Sequence, residues 1–271
     1  MLPATVDRAV SGYLRMADRL LPGRVGGLYV VGSTALGAYQ DGRSDIDLVV
    51  VLDGHSHPDD AGRLRALHMR RGVVTAVTAA LHGRSPLSGT CNAVFVRRAD
   101  LTRPAHEIVP VATATGQQFR PGRAPVSAVD WTVLAQHGIP VRGPAPAELG
   151  LDPEPDRLAA WNRQNLESYW RPWAAWYRTR GGLRGRILRP IGTVWAVLGV
   201  PRLHCTIATG RIVSKVEAGE YARRTFAAEW HPMIDYALAR RRGERAATAV
   251  PPPPRVADFV DHVAENALAL G

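Results

Sequence analysis

The chain has 271 residues and a formal net charge of +10, with 46% hydrophobic and 21% charged residues; that is room for two modest domains and excludes a disordered or fibrous class. Its longest uncharged apolar run, Ile191 to Val200, is shorter than the roughly 20 residues of a membrane span. The N-terminus carries Asp7, Arg8, Arg15, Asp18 and Arg19 where a signal peptide would be apolar, so a cytoplasmic protein without a membrane partner is expected.

Residues 4–21 place Val6, Val10, Leu14, Ala17 and Leu21 at helical spacing. Gly26-Gly27 is expected to break the chain before a short apolar strand, Leu28 to Val31. Gly32-Ser33 then turns it into a second helix, Thr34 to Tyr39, and Asp41-Gly42 signals a turn. Ile46 to Leu52 reads as a buried, valine-rich strand, followed by a polar loop and a helix from Ala61 to Arg70. Val73 to Ala80 and Ala93 to Val96 read as further strands, an order that suits an α/β sheet domain. Cys91 and Cys205 lie far apart, form no metal or redox motif, and are expected to be buried apolar fillers.

From Pro140 the character changes: Val141-Arg-Gly-Pro-Ala-Pro146 and Asp152-Pro-Glu-Pro155 read as a linker, which divides the chain into residues 1–146 and 147–271. The second part is helical throughout. Leu158, Trp161, Tyr169, Trp173 and Trp176 form a stripe expected in the bundle core, in a helix that Pro172 kinks. Pro201 is expected to open another helix, stopped by Gly210. Ser214-Lys-Val-Glu217 is a capping box before a helix to about Phe226. Pro232 opens the next helix, ended by Gly243; the Pro251 to Pro254 run is a stiff linker, and Val256 to Leu270 a last amphipathic helix.

Of the 34 basic residues 33 are arginine. They are dispersed except at Arg240-Arg241-Arg242 and between Arg178 and Arg189, so a solvated surface accounts for the charge and nucleic acid is not an expected partner. The single lysine, Lys215, stands apart. Either one lysine survives by chance, or a local chemical requirement keeps it.

The element with chemistry is Gly32-Ser33 followed by Asp45-x-Asp47. Two residues apart in a strand, Asp45 and Asp47 face one side while Ile46 and Leu48 face the core. At about 4 Å and an effective dielectric near 20, their repulsion is roughly 4 kcal/mol. A cation between them reverses the sign, and hard oxygen ligands with open positions suit Mg²⁺. Gly32 permits close backbone approach, and the Ser33 hydroxyl with the following helix amides can hold a triphosphate. Lys215, at the first position of a capped helix, also favours an anion.

Gly32-Ser-Thr-Ala-Leu-Gly37 and Ser44-Asp-Ile-Asp-Leu-Val49 resemble the nucleotidyltransferase superfamily that includes DNA polymerase β, and more closely the streptomycin/spectinomycin adenylyltransferases. Ala208-Thr-Gly-Arg-Ile-Val-Ser-Lys215 with Glu217-Ala-Gly-Glu-Tyr221 resembles that family's C-terminal helical motif, and Ile139-Pro-Val-Arg-Gly-Pro144 its interdomain connection. The resemblance implies an α/β polymerase-β-like nucleotidyltransferase domain followed by an all-α bundle. It implies AMP transfer from ATP to a hydroxyl of an aminoglycoside-like small molecule, with one or two Mg²⁺ ions. It assigns Asp45 and Asp47 to the metal, Gly32, Ser33 and Ser44 to the nucleotide, and Arg202 and Lys215 to its phosphates.

One position departs from that pattern. The family's third carboxylate, a general base on a later strand, corresponds to Asn92, which positions a hydroxyl but accepts no proton. A general base contributes about 10²- to 10⁴-fold. Three outcomes fit: another carboxylate such as Asp130 or Glu167 serves as base, the hydroxyl reacts slowly unaided, or the chain is a non-catalytic nucleotide-binding or sensing relative acting through a partner. Asp130, Asp152, Glu154, Asp156 and Glu167 either line an acidic acceptor site for a polycation or simply favour helix starts.

Overall fold

In the computed structural model, the apolar face of residues 4–21 becomes helix α1 (Ala4–Leu20), which buries Val6, Ala9, Val10, Tyr13 and Ala17. The structure describes residues 2–55, 57–83, 85, 87, 89–179 and 182–270, with the side chains of 182–188 left aside; in the arginine cluster between Arg178 and Arg189, Arg180 and the side chains of Arg184 and Arg186 therefore lie outside what is described. The chain divides into two units, residues 1–154 and 155–271, the division falling a few residues beyond the expected 146/147.

The first unit is built on a mixed sheet. Strand β1 (Val25–Val31) leads into a one-turn helix α2 (Gly32–Ala35), followed by β2 (Ile46–Leu52), helix α3 (Asp60–Leu81) and β3 (Cys91–Arg97). A hairpin, β4 (Ala112–Thr115) and β5 (Gln118–Pro121), precedes helix α4 (Ala128–His137) and β6 (Ile139–Arg142). The order across the sheet is β5-β4-β3-β2-β1-β6, with β2 antiparallel to β1 and parallel to β3. Leu28, Val30, Ile46, Leu48, Val50, Ala93 and Phe95 share one core with α1 and with Leu64 and Leu67 of α3. By the two-residue alternation of strands, Asp47 and Asn92 belong to the opposite face. Cys91 is buried and free, as is Cys205 in the second unit.

Four expectations change here. Gly26-Gly27 does not break the chain but lies inside β1, beside a register shift at Val25/Gly27; a Cβ on Gly26 would overlap the Asp53 carboxylate, which pairs with Arg98 at 2.5 Å. The second helix ends at Ala35 instead of reaching Tyr39. Val73 to Ala80 is not a strand: α3 runs through it, burying Thr75 and Ala79 four residues apart on the Leu64 and His68 face, while Val73 and Val77 are 62% and 53% exposed. Valine's β preference is a small term that helical burial of the other face overrides. Ile139 to Arg142 is an edge strand on β1, not a free connection, and Arg142 pairs with Asp18 of α1 at 2.5 Å.

The second unit is helical: α5 (Pro155–Asn165), a π-helical turn at Leu166–Trp170, α6 (Arg171–Arg178), α7 (Gly182–Thr209), α8 (Lys215–Thr225), α9 (His231–Arg242) and α10 (Pro253–Leu268). The π turn advances the helix phase ahead of Pro172. The core therefore takes Leu166, Trp170, Ala174 and Tyr177, with Trp173 packed against it, while Tyr169 and Trp176 are about half exposed. Trp170 stacks on Trp195 with centroids 4.2 Å apart. Pro201 does not open a helix; both Pro190 and Pro201 lie within α7, which ends at Gly210 as expected. The stretch Arg189–Thr209 of α7 is long and apolar enough to cross a membrane by length and composition, and it places Val197, Leu198 and Val200 in the bundle core. Arg178 joins α6 to Asp258 and Asp261 of α10.

Candidate active site

Two register pairs assemble the site: Val31 opposite Asp47 in β1–β2, and Asp47 beside Asn92 in β2–β3. Gly32 directly follows Val31 with φ +60. A Cβ at Gly32 would overlap the Asp47 carboxylate, so only glycine both adopts this backbone and clears the space.

Asp45 lies just before β2, and its carboxylate turns to the same side as that of Asp47. The Asn92 amide nitrogen donates to both, at 2.6 Å to Asp45 Oδ2 and 3.0 Å to Asp47 Oδ1. Asn92 Oδ1 accepts the Gly116 N–H at 2.9 Å, which fixes the amide with its NH₂ toward the carboxylates. Gly116 is the first residue of the two-residue β4–β5 turn and has φ +57. Its carbonyl lies 2.8 Å from Nε2 of His68, on α3.

The donor set fits a divalent magnesium ion: two carboxylate oxygens from separate residues already reach one common atom, and hard oxygens are what Mg²⁺ prefers. Ser33 Oγ and Thr34 Oγ1 are buried with no hydrogen-bond partner among the described residues, the state expected of hydroxyls that await a ligand. Among the described residues no group of three or more His, Cys, Asp or Glu is placed to hold a metal ion. Ser44 is 3% exposed, and its Oγ accepts the Gln40 N–H at 3.1 Å, closing the loop that delivers Asp45.

A cleft of about 830 Å³ opens on this face of the first unit. Asp47, Asn92 and Thr113 line it together with Arg120, Arg123 and Asp130. Asp130 sits in the first turn of α4, where Ser127 caps the helix by accepting the Asp130 N–H. Two other acids have local work: Asp152 accepts the Glu154 N–H, and Glu154 accepts from His106 N–H and lies 2.6 Å from its Nδ1. Asp156 falls in the first turn of α5.

In the second unit, Ser214 and Glu217 form the expected reciprocal cap, with Lys215 as the first residue of α8. Glu217 is held below the usual glutamate range by the Ser214 N–H and hydroxyl. Arg202, on α7, donates through Nε to the Val213 carbonyl at 2.9 Å, so the loop that leads into Lys215 is tied to the helix that carries Arg202. Glu167 lies in the π turn.

His68, Gly116, Thr113 and the two cleft arginines escape a reading of the sequence by motif. The alternation of Ala112-Thr-Ala-Thr and Gln118-Phe-Arg about Gly116 is the hairpin signal that could have found Thr113, Gly116 and Arg120; no local signal points to His68 or Arg123.

A carboxylate pair at the start of a strand, beside a glycine turn on a mixed sheet, defines a nucleotidyltransferase domain, and residues 13–82 match the nucleotidyltransferase domain family. Residues 167–266 match the C-terminal domain of aminoglycoside adenylyltransferase. The chain thus carries a match to a nucleotidyltransferase domain followed by a match to the C-terminal domain of aminoglycoside adenylyltransferase. Its fold resembles the crystal structure of spectinomycin adenyltransferase AAD(9) from Enterococcus faecialis, solved with ATP and spectinomycin: the TM-score is 0.70 at 13% identity, over 96% of this chain and 99% of that one. No curated protein matches the chain.

Proposed function

We propose that this protein is an O-adenylyltransferase that moves AMP from ATP to a hydroxyl of an aminoglycoside-like small molecule. The observation that carries the reading is the convergence of Asp45 and Asp47 on one atom beside Gly32, in a chain with both domain matches. The structural relative solved with ATP and spectinomycin supports the nucleotide and the acceptor class.

Asp45 and Asp47 would hold Mg²⁺, which supplies charge neutralisation for the phosphates when bound. Gly32 leaves room for the Asp47 carboxylate and would let the backbone approach the nucleotide closely. Ser33 would contact its phosphates, and Ser44 would act through the loop it closes. Arg202 and Lys215 are the proposed phosphate-holding cations of the second unit. In the reaction, the acceptor oxygen bonds to the α-phosphorus as the bond to pyrophosphate breaks, and the hydroxyl proton passes to a base. Asn92 takes no proton. Asp130, which lines the cleft with Asp47, is the carboxylate proposed for that role. Asp130→Asn is expected to lower kcat by about 10²- to 10⁴-fold with nucleotide affinity unchanged; an unchanged kcat would remove Asp130 from the reaction.

The test of the function is a panel of aminoglycosides incubated with Mg²⁺ and ATP labelled at the α-phosphate. Transfer of label to at least one acceptor, with release of pyrophosphate, is the expected result. No transfer with tight nucleotide binding intact would favour a non-catalytic nucleotide-binding relative acting through a partner, the reading that Asn92 supports.

A further inference from the structure

The site's two carboxylates share one donor, and that donor is itself held from behind. Asn92 Nδ2 faces Asp45 and Asp47 because Asn92 Oδ1 is occupied by the Gly116 N–H. Rotating the amide by half a turn would set Oδ1 against two carboxylate oxygens and the NH₂ against an N–H, so the orientation is unambiguous. Gly116 in turn sits at the tip of a short hairpin, with a backbone conformation that glycine adopts at no steric cost. What fixes this tip on its far side is His68, whose Nε2 lies 2.8 Å from the Gly116 carbonyl.

The His68 ring can play only one part there. A carbonyl accepts, so Nε2 must carry the proton. Nδ1 is buried with no partner among the described residues, and the residue is 3% exposed. A second proton on Nδ1 would be a buried donor with nothing to receive it, a cost of about 1–3 kcal/mol. Burial also pushes His68 below the usual histidine range, against the smaller opposing effect of the Gly116 bond, so the ring is neutral near pH 7.

We propose that His68 is a positioning residue of the carboxylate site: as the neutral Nε2–H tautomer it anchors Gly116, which orients the Asn92 amide, which holds Asp45 and Asp47 together. It touches neither nucleotide nor acceptor. The consequence for nucleotide binding rests on the function proposed above; the consequence for the Asn92 amide does not.

The experiment therefore has ligand-free and ligand-bound arms. In the wild-type protein, long-range ¹H–¹⁵N correlation of the histidine rings should show His68 as the neutral Nε2–H tautomer, and an Nδ1–H or doubly protonated ring at pH 7.5 would overturn the proposal. The Asn92 side-chain NH₂ signals, identified by their loss in Asn92→Ala, should shift in His68→Leu and return in His68→Gln, which keeps a donor at similar reach. Signals unmoved in a folded His68→Leu protein would also overturn it. With nucleotide and Mg²⁺, His68→Leu should raise Kd about fivefold in the wild-type background and by less than about twofold in Asn92→Ala. Equal effects in the two backgrounds would show a general packing role and contradict the relay. If Asp47→Ala binds nucleotide like wild type, the proposed function fails while the tautomer and amide signals still decide the role of His68.

Discussion

Gly32 and Asn92 carry the sharpest single-residue consequences. Gly32→Ala forces a side chain into positive φ, at about 1–2 kcal/mol, and its Cβ displaces the Asp47 carboxylate. Urea unfolding should show that loss of stability, and calorimetry a larger loss of Mg²⁺-dependent nucleotide binding; native affinity would mean that Asp47 need not lie where it does. Asn92→Glu exchanges an amide that donates to two carboxylates for a third negative charge. It is expected to destabilise the metal-free protein by about 1–3 kcal/mol, with Mg²⁺ restoring part of the loss. If Asn92 stands in for a lost base, the same change raises transfer; no gain in activity would sink that account.

At the scale of elements, the helix caps were the most legible part of the sequence, because their signals are local. Ser214 and Glu217 make the reciprocal cap that their spacing announces, and Gly243 closes α9 in a left-handed conformation. Ser214→Ala should cost about 1 kcal/mol by thermal unfolding and weaken nucleotide binding if Lys215 depends on that cap. Unchanged stability would contradict the cap. Elements decided by distant partners were not legible. The Val73 to Ala80 run looks like a strand until α3 buries its other face, and Pro201 looks like a helix start until α7 runs through it. The carboxylate pair could be read because glycine, serine and aspartate each have a chemical reason to be there. His68 could not, because its role arises from a hairpin tip nearly fifty residues away in sequence. In the bundle, Gly199 is a packing requirement: a Cβ there would lie 2.7 Å from the Trp170 ring. Gly199→Ala is expected to lower stability by about 1–3 kcal/mol despite alanine's better helix propensity, as denaturant unfolding would show.

For the whole molecule, stability against pH follows from groups that stay neutral inside each unit. His68 in the first unit and His204 in the second are both pushed below the usual histidine value by burial. Their folded pKa is the lower one, so their stability is complete above the ordinary value of 6.5 and is lost as pH falls through the folded value. On the alkaline side, burial pushes Cys91 from 9.0 to about 12 and Tyr39 from 10.0 to about 12. The unfolded chain gives up those protons first, so stability falls as pH rises above 9. Urea midpoints should therefore be highest between about pH 7 and 9, with an acid slope of up to about 1.4 kcal/mol per pH unit for each histidine. A flat midpoint from pH 5 to 7 would contradict the buried neutral rings. The proposed function rests on Asp45 and Asp47 as the place where nucleotide and metal would be held. Titration calorimetry of ATP into the wild-type protein and Asp47→Ala, each with and without Mg²⁺, tests this most directly. Metal-dependent binding in the wild type that disappears in a folded Asp47→Ala protein is the predicted result; equal binding by both, with or without Mg²⁺, would contradict it.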